Sequence, residues 1–161
     1  MRTFARYFVL LMIGIVPVCF AETKDTKGSA DHPLFTRMPG FNVIGYEAKS
    51  FGQFAFTVAP NKPKLEVEGK FTRIVYHLYK PASGKSVDRL EIIRNHQNAV
   101  KAIGGEVVFD GSPARTVLKI AKDGKEIWVD VLGYTDEYNL TIVEKSAMVQ
   151  AVKASDITTA L

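Results

Sequence analysis

From Ser86 to about Ile103 the chain carries its one substantial stretch of helical period, and this feature limits the folds open to it. At 100° per residue, Ile92, Ile93, His96, Ala99, Val100 and Ile103 fall on a single stripe, with Arg94, Asn95, Asn98 and Lys101 away from its centre. Ser86 is the expected N-cap, Asp88 suits the positive end of the helix dipole, and Gly104-Gly105 supplies the stop. A single helix with one apolar stripe needs a sheet to bury it.

The rest of the chain supplies strands. Phe41, Val43, Ile44 and Tyr46 read as a short extended segment, and Phe54, Phe56 and Val58 alternate as a half-buried strand that ends at the turn-rich Pro60 to Pro63. After Leu65 and Val67, Phe71 to Tyr79 places Ile74, Tyr76 and Leu78 on one face and Arg73, Val75, His77 and Tyr79 on the other. Beyond the helix, Glu106 to Phe109, Thr116 to Ile120, Glu126 to Leu132 and Tyr138 to Val143 predict an antiparallel meander. Asp123-Gly124 has the composition of a two-residue hairpin turn. The expected fold class is α+β, an antiparallel sheet of about six strands with one main helix packed on one face. That single domain is expected over residues 34–152, after a flexible leader at 22–33 and before a tail at 153–161, with weak helical character from Ser146 onward.

Arg2 and Arg6 precede an apolar run from Tyr7 to Phe20 and the small residue Ala21, the layout of a cleavable secretory signal over residues 1–21. The run is shorter than the roughly 20 residues of a membrane-crossing helix, so the processed chain is not expected to be transmembrane. Cleavage after Ala21 is favoured over lipidation at Cys19, because Val16, Pro17 and Val18 are poor neighbours for a lipid-modified cysteine. The expected location is the periplasm. Cys19 is the chain's single cysteine, so no intramolecular disulfide is available and stability must come from the core. Loss of Arg2 and Arg6 brings the formal charge of +4 closer to neutrality, and the remaining lysines are dispersed, which argues against nucleic acid as a partner.

No two of the three histidines share a metal-ligand spacing, so no metal is expected. Gly-x-Ser-x-Gly and the glycine-rich phosphate loops are absent, so neither a nucleophile nor a nucleotide cofactor is expected. A non-enzymatic binding or scaffold module is the leading reading. The alternatives are a lipid-anchored envelope factor, which depends on Cys19, and an envelope glycan hydrolase, for which any two carboxylates meeting in space would serve; Glu66 and Glu68 share a strand face but look like a solvated edge.

The candidate binding residues are Asp31, His32, Phe35, Arg37, Arg73, His77 and Trp128. Asp31 and His32 form a charged pair before Pro33, or else ordinary turn chemistry. Phe35 and Arg37, with Leu34 and Met38, have the composition of an interface anchor, or else pack on their own sheet. Arg73 and His77 share a polar strand face suited to an anionic ligand, or simply to solvent. Trp128, at period two with Glu126 and Asp130, is either a stacking platform or packed beneath the tail or leader. His96 reads as a core or boundary imidazole hydrogen-bonded by a sheet residue. The anchor composition favours an envelope protein partner over a small molecule.

The run Asp31-His32-Pro33-Leu34-Phe35-Thr36-Arg37-Met38-Pro39-Gly40-Phe41 resembles the start of an N-terminal module found in some OmpA-family outer-membrane-associated proteins. Val67-Glu68-Gly69-Lys70, Leu90 to Ala99, Gly104-Gly105, Trp128-Val129, Leu140-Thr141-Ile142-Val143-Glu144, Met148 and Gln150 follow in the same order, so the resemblance covers residues 28–152. It implies association with the outer membrane and no established catalytic activity. His96 stands where such relatives usually carry tyrosine. The C-terminal OmpA-like domain that holds peptidoglycan in those relatives is not matched here, so the chain is expected not to bind peptidoglycan by itself.

Overall fold

Seven elements follow the alternation of the sequence in a computed structural model that describes residues 25–79, 84–122 and 124–151. They are β1 (Phe41–Phe56), β2 (Leu65–Leu78), α1 (Arg89–Ala102), β3 (Glu106–Gly111), β4 (Arg115–Lys122), β5 (Lys125–Tyr134) and β6 (Glu137–Lys145). The expected signal segment, Cys19, Asp123 and the end of the tail lie outside the described residues. Among the described residues no helix is long and apolar enough to cross a membrane. The fold is α+β, one antiparallel sheet in the order β1-β2-β6-β5-β4-β3 with one helix. β4 and β5 meet through the expected tight hairpin, with Lys122 paired to Lys125 and Gly124 at a φ of 72°.

The helix packs on what is here called the front face of the sheet. Ile92, Ile93 and Val100 of α1 are fully buried against Ile74 and Tyr76 of β2, Leu118 and Ile120 of β4, Val129 and Val131 of β5, and Leu140 and Ile142 of β6. Each such aliphatic side chain contributes about 1.5–3 kcal/mol by leaving water. The N-cap is Asp88, whose carboxylate accepts from Leu90 N at 2.8 Å, so the helix begins later than the expected Ser86. The buried stripe is also rotated from expectation. Ile103 and Ala99 are exposed, while Gln97 is buried because its amide donates to Thr116 Oγ1 at 3.1 Å.

The segments expected as two separate pieces, Phe41 to Tyr46 and Phe54 to Val58, are parts of one 16-residue strand. Register shifts between Val43 and Gly45 and between Lys49 and Gly52 accommodate the residues that break its alternation. β2 pairs with β6 from His77 to Gly69, and there the partnership ends. A side chain at Gly69 would place its Cβ 2.0 Å from the Glu144 carbonyl oxygen, so only glycine permits this approach. Beyond Gly69 the β1–β2 hairpin continues alone and covers the back face. Phe56 and Val67 pack there on Val117, Trp128 and Val143, with the Phe56 and Trp128 ring centroids 5.6 Å apart.

Residues 25–33, expected as part of a flexible leader, are instead tied to the sheet. Thr26 N donates to the Val43 carbonyl at 2.8 Å, and Val43 N donates to Asp25 Oδ1 at 2.9 Å. Ser146 to Ala151 carry no helix, contrary to the tail's expected character.

Candidate functional site

Arg37 organises the segment before β1. Its Nη1 donates to Asp25 Oδ1 at 2.8 Å and its Nε to Asp31 Oδ2 at 3.0 Å, while the guanidinium lies 5.9 Å from the Tyr76 ring centroid. Tyr76 OH donates to Asp31 Oδ1 at 2.9 Å, which joins the clamp to β2. The hydrogen bond from Arg37 holds the Asp25 carboxyl below its ordinary range, and burial followed by Asp31 pushes the Tyr76 phenol up. Residues 31–39 thereby form a strap with a fixed course across the front face, beside α1.

Two histidines flank Phe35 under this strap, and their hydrogen bonds assign their tautomers. Leu34 N donates to His32 Nδ1 at 3.3 Å, so the proton of His32 sits on Nε2, 3.4 Å from Glu144 Oε1. Asp31 and His32 therefore serve different partners instead of acting as a pair. In His96 the Nδ1 atom lies 2.8 Å from the Ile92 carbonyl, which can only accept, so Nδ1 carries the proton and Nε2 is an acceptor. The partner is a carbonyl of its own helix, in place of the expected sheet residue. No hydrogen bond reaches Nε2 among the described residues. Burial lowers the pKa of both rings, opposed by Glu144 at His32 and by the Ile92 hydrogen bond at His96, so both are neutral at pH 7.

Strap and helix do not close on each other, and a cleft of about 630 Å³ remains between them. The buried His32, Phe35 and His96 are its inner lining, and the exposed Pro33, Thr36, Pro39, Asn95 and Ala99 form its rim. Leu34 and Met38 add half-buried apolar wall. The His96 ring stands edge-on to Tyr138 at 5.0 Å and tilted to Phe35 at 6.1 Å, and Tyr138 stacks on Tyr76 at 4.6 Å. The cleft thus rests on rings that are fixed from below. A volume of this size falls within the range of ligand clefts.

Of the residues singled out in the sequence, Asp31, His32, Phe35 and Arg37 come together here, while Arg73, His77 and Trp128 lie on the opposite face of the sheet. Arg73 is 3.6 Å from Glu47 and sits over the Phe71 ring at 5.3 Å, and His77 lies 3.7 Å from Glu137 at the surface. Trp128 has no open face, contrary to a stacking platform. It is 5% exposed under the β1–β2 hairpin, neither under the tail nor under the leader, and its Nε1 donates to Glu126 Oε1 at 2.7 Å. Glu66 and Glu68 are exposed on the hairpin. The roles of His96, Asn95 and Ala99 in the lining, and of Asp25 in the clamp, were missed in the sequence. The available signal was two acids, Asp25 and Asp31, in a stretch otherwise read as solvated, six and twelve residues before the lone arginine of the anchor, Arg37.

Among the described residues no three His, Cys, Asp or Glu side chains gather as metal ligands. No protein-family model matches this chain, and no curated protein matches it.

Proposed function

We propose that this protein is a non-enzymatic binding module of the periplasm, associated with the outer membrane, which captures a segment of an envelope protein in the cleft between the strap and α1. The observation that carries the reading is the construction of the cleft: a space of about 630 Å³ with mixed polar and apolar walls over buried rings, framed by a strap that Arg37 clamps to the sheet. A preformed site of this kind spares its ligand the cost of ordering it. The envelope setting is supported by the signal-like residues 1–21 and by the OmpA-family-like order of motifs.

Binding is favoured over glycan hydrolysis by what lines the cleft. Glycosidases set two carboxyl groups across one space, and here Asp31 is the one lining carboxylate, already engaged by Arg37 and Tyr76. Arg37 is the one lining cation and is equally engaged, so an anionic wall polymer finds no free charge in the cleft. The test is site-specific photocrosslinking in cells, with a photoreactive amino acid at the rim position Thr36 or Ala99, and at Glu66 on the opposite side as control. Both rim positions are expected to join the same envelope protein and Glu66 is not. Equal or absent crosslinking at all three positions would overturn the reading.

A further inference from the structure

We infer that this protein self-associates through the outer edge of β1, two copies pairing antiparallel about a two-fold axis at Ala48. This edge is a different part of the molecule from the cleft, and its pairing does not depend on what the cleft binds. β1 ends the strand order on one side, and among the described residues no other strand lies along its outer edge. The leader meets that edge at Val43, whose N–H donates to Asp25 Oδ1 and whose carbonyl accepts from Thr26 N. Farther along, Ala48, Lys49 and Ser50 are three consecutive exposed residues in the middle of the strand. An unpaired edge of this kind is a template for another strand.

The charge pattern selects a second copy as the occupant and fixes one register. Glu47 and Lys49 share the face of Arg73 and Phe71, where Glu47 is 2.6 Å from Lys49 and 3.6 Å from Arg73. Residues opposite each other in an antiparallel pair point to the same face, so two identical strands related by a two-fold axis are centred on a residue. Centred on Ala48, the pair sets Glu47 of each copy opposite Lys49 of the other, and Tyr46 opposite Ser50. Centred on Glu47 or on Lys49, it sets like charges against each other. The in-strand ion pair is exposed, so joining it to its symmetry mate costs little. The free edge at β3 has no such register, because its charges, Glu106 and Asp110, are both acidic and oppose each other about Val108. Register shifts between Val43 and Gly45 and between Lys49 and Gly52 bend β1 on either side, which confines the pairing to the few residues around Ala48 and makes the association weak.

The experiment follows the full chain as secreted by sedimentation velocity up to about 0.5 mM, a range in which a small interface self-associates. Wild type is expected to show a monomer–dimer equilibrium. Glu47→Lys and Lys49→Glu are each expected to weaken it about tenfold, because both cross-strand pairs turn repulsive. Mixing the two variants is expected to restore the dimer, since one copy then sets two lysines against two glutamates of the other. A readout independent of charge is crosslinking with a short bis-maleimide, for which the sequence past Cys19 holds no competing cysteine. Ala48→Cys is expected to join across the axis, whereas Ser50→Cys, also exposed, is not, because its two copies stand about 14 Å apart along the strand. A monomer throughout the concentration range would overturn the inference. So would charge reversals that leave the dimer intact, a mixture that fails to recover it, or crosslinking of Ser50→Cys as efficient as that of Ala48→Cys.

Discussion

The two faces of the sheet are covered in different ways. On the back, the cover is the continuation of β1 and β2 themselves: past Gly69 the hairpin carries Phe56 and Val67 onto Trp128 and Val117 as an extension of the sheet's own strands. On the front, the cover is two separate pieces, α1 and the strap at 31–39, which arrive from different parts of the chain and leave the cleft between them. A cover that is continuous with the sheet leaves no line of closure. A cover in two pieces leaves one, and its walls can be set apart without unfolding the core beneath. The candidate site lies there, although the apolar residues on the two faces are of the same kind.

The largest expected effect comes from Gly69→Val, which would drive a side chain into the Glu144 carbonyl and lift the hairpin from the back face. A loss of more than about 4 kcal/mol in urea denaturation is expected, and a near-neutral result would show that the back cover does not depend on that approach. Next, Phe56→Ala should cost about 3–5 kcal/mol as a global loss, because the ring is fully buried in a cover that cannot detach piecemeal. Phe35→Ala, on the strap, should cost less, about 1–3 kcal/mol, and hydrogen exchange should rise at residues 25–40 while the amides of β4 to β6 stay protected. Equal global losses for the two variants would erase the distinction between the faces.

Arg37→Ala is expected to cost about 1–2 kcal/mol, because the clamp is half-exposed, yet to weaken capture of a ligand in the cleft strongly by freeing the strap. The smallest effect is electrostatic and belongs to the front face alone. His32 and His96 have folded-state pKa values below their unfolded ones, so below about pH 6.5 the unfolded chain takes up protons that the folded chain resists. Stability should therefore be flat above that pH and decline below it, by on the order of 1 kcal/mol, as pH falls toward the folded-state values. Thermal melts between pH 8 and 5 check the sign, and His96→Phe should reduce the slope.

The front face was legible in the sequence because its strands and helix obey simple periods: Ile74, Tyr76 and Leu78 alternate, and Ile92, Ile93 and Val100 recur at helical spacing. The back face was not. Trp128 shares its period with Glu126 and Asp130, and so reads as part of a polar surface. Its burial depends on a hairpin that turns over it at Gly69, and local alternation does not encode that turn. Asp130 itself is buried, with Arg115 Nε 2.6 Å from its carboxylate, an ion pair between strands that no sequence period announces. The attachment of the leader escaped for a related reason. Asp25 and Asp31 lie in a stretch with the composition of a solvated segment, whereas their pairing with Arg37 is what ties that stretch to the sheet. Half of the candidate site was nonetheless visible, since Phe35 and Arg37 stood out as an anchor, and only the helix residues that complete the cleft needed the third dimension.

The strand order also bears on how the chain reaches this structure. The last strand in sequence, β6, lies in the interior of the sheet between β2 and β5, and its rung from Gly69 to Lys145 joins parts of the chain far apart in sequence. The β1–β2 hairpin and the β3 to β5 meander can each form from near neighbours, but they cannot be joined until β6 fills the gap. Until then β2 and β5 each present a bare edge. Closing that gap is a high-contact-order step, so assembly is expected to be slow relative to a helical protein of this length, with its period of greatest vulnerability to aggregation just before the C-terminal strand is inserted. A chaperone that shields exposed strand edges would act on this protein at that stage, and removal of Glu137 to Lys145 would leave two halves with no means of joining.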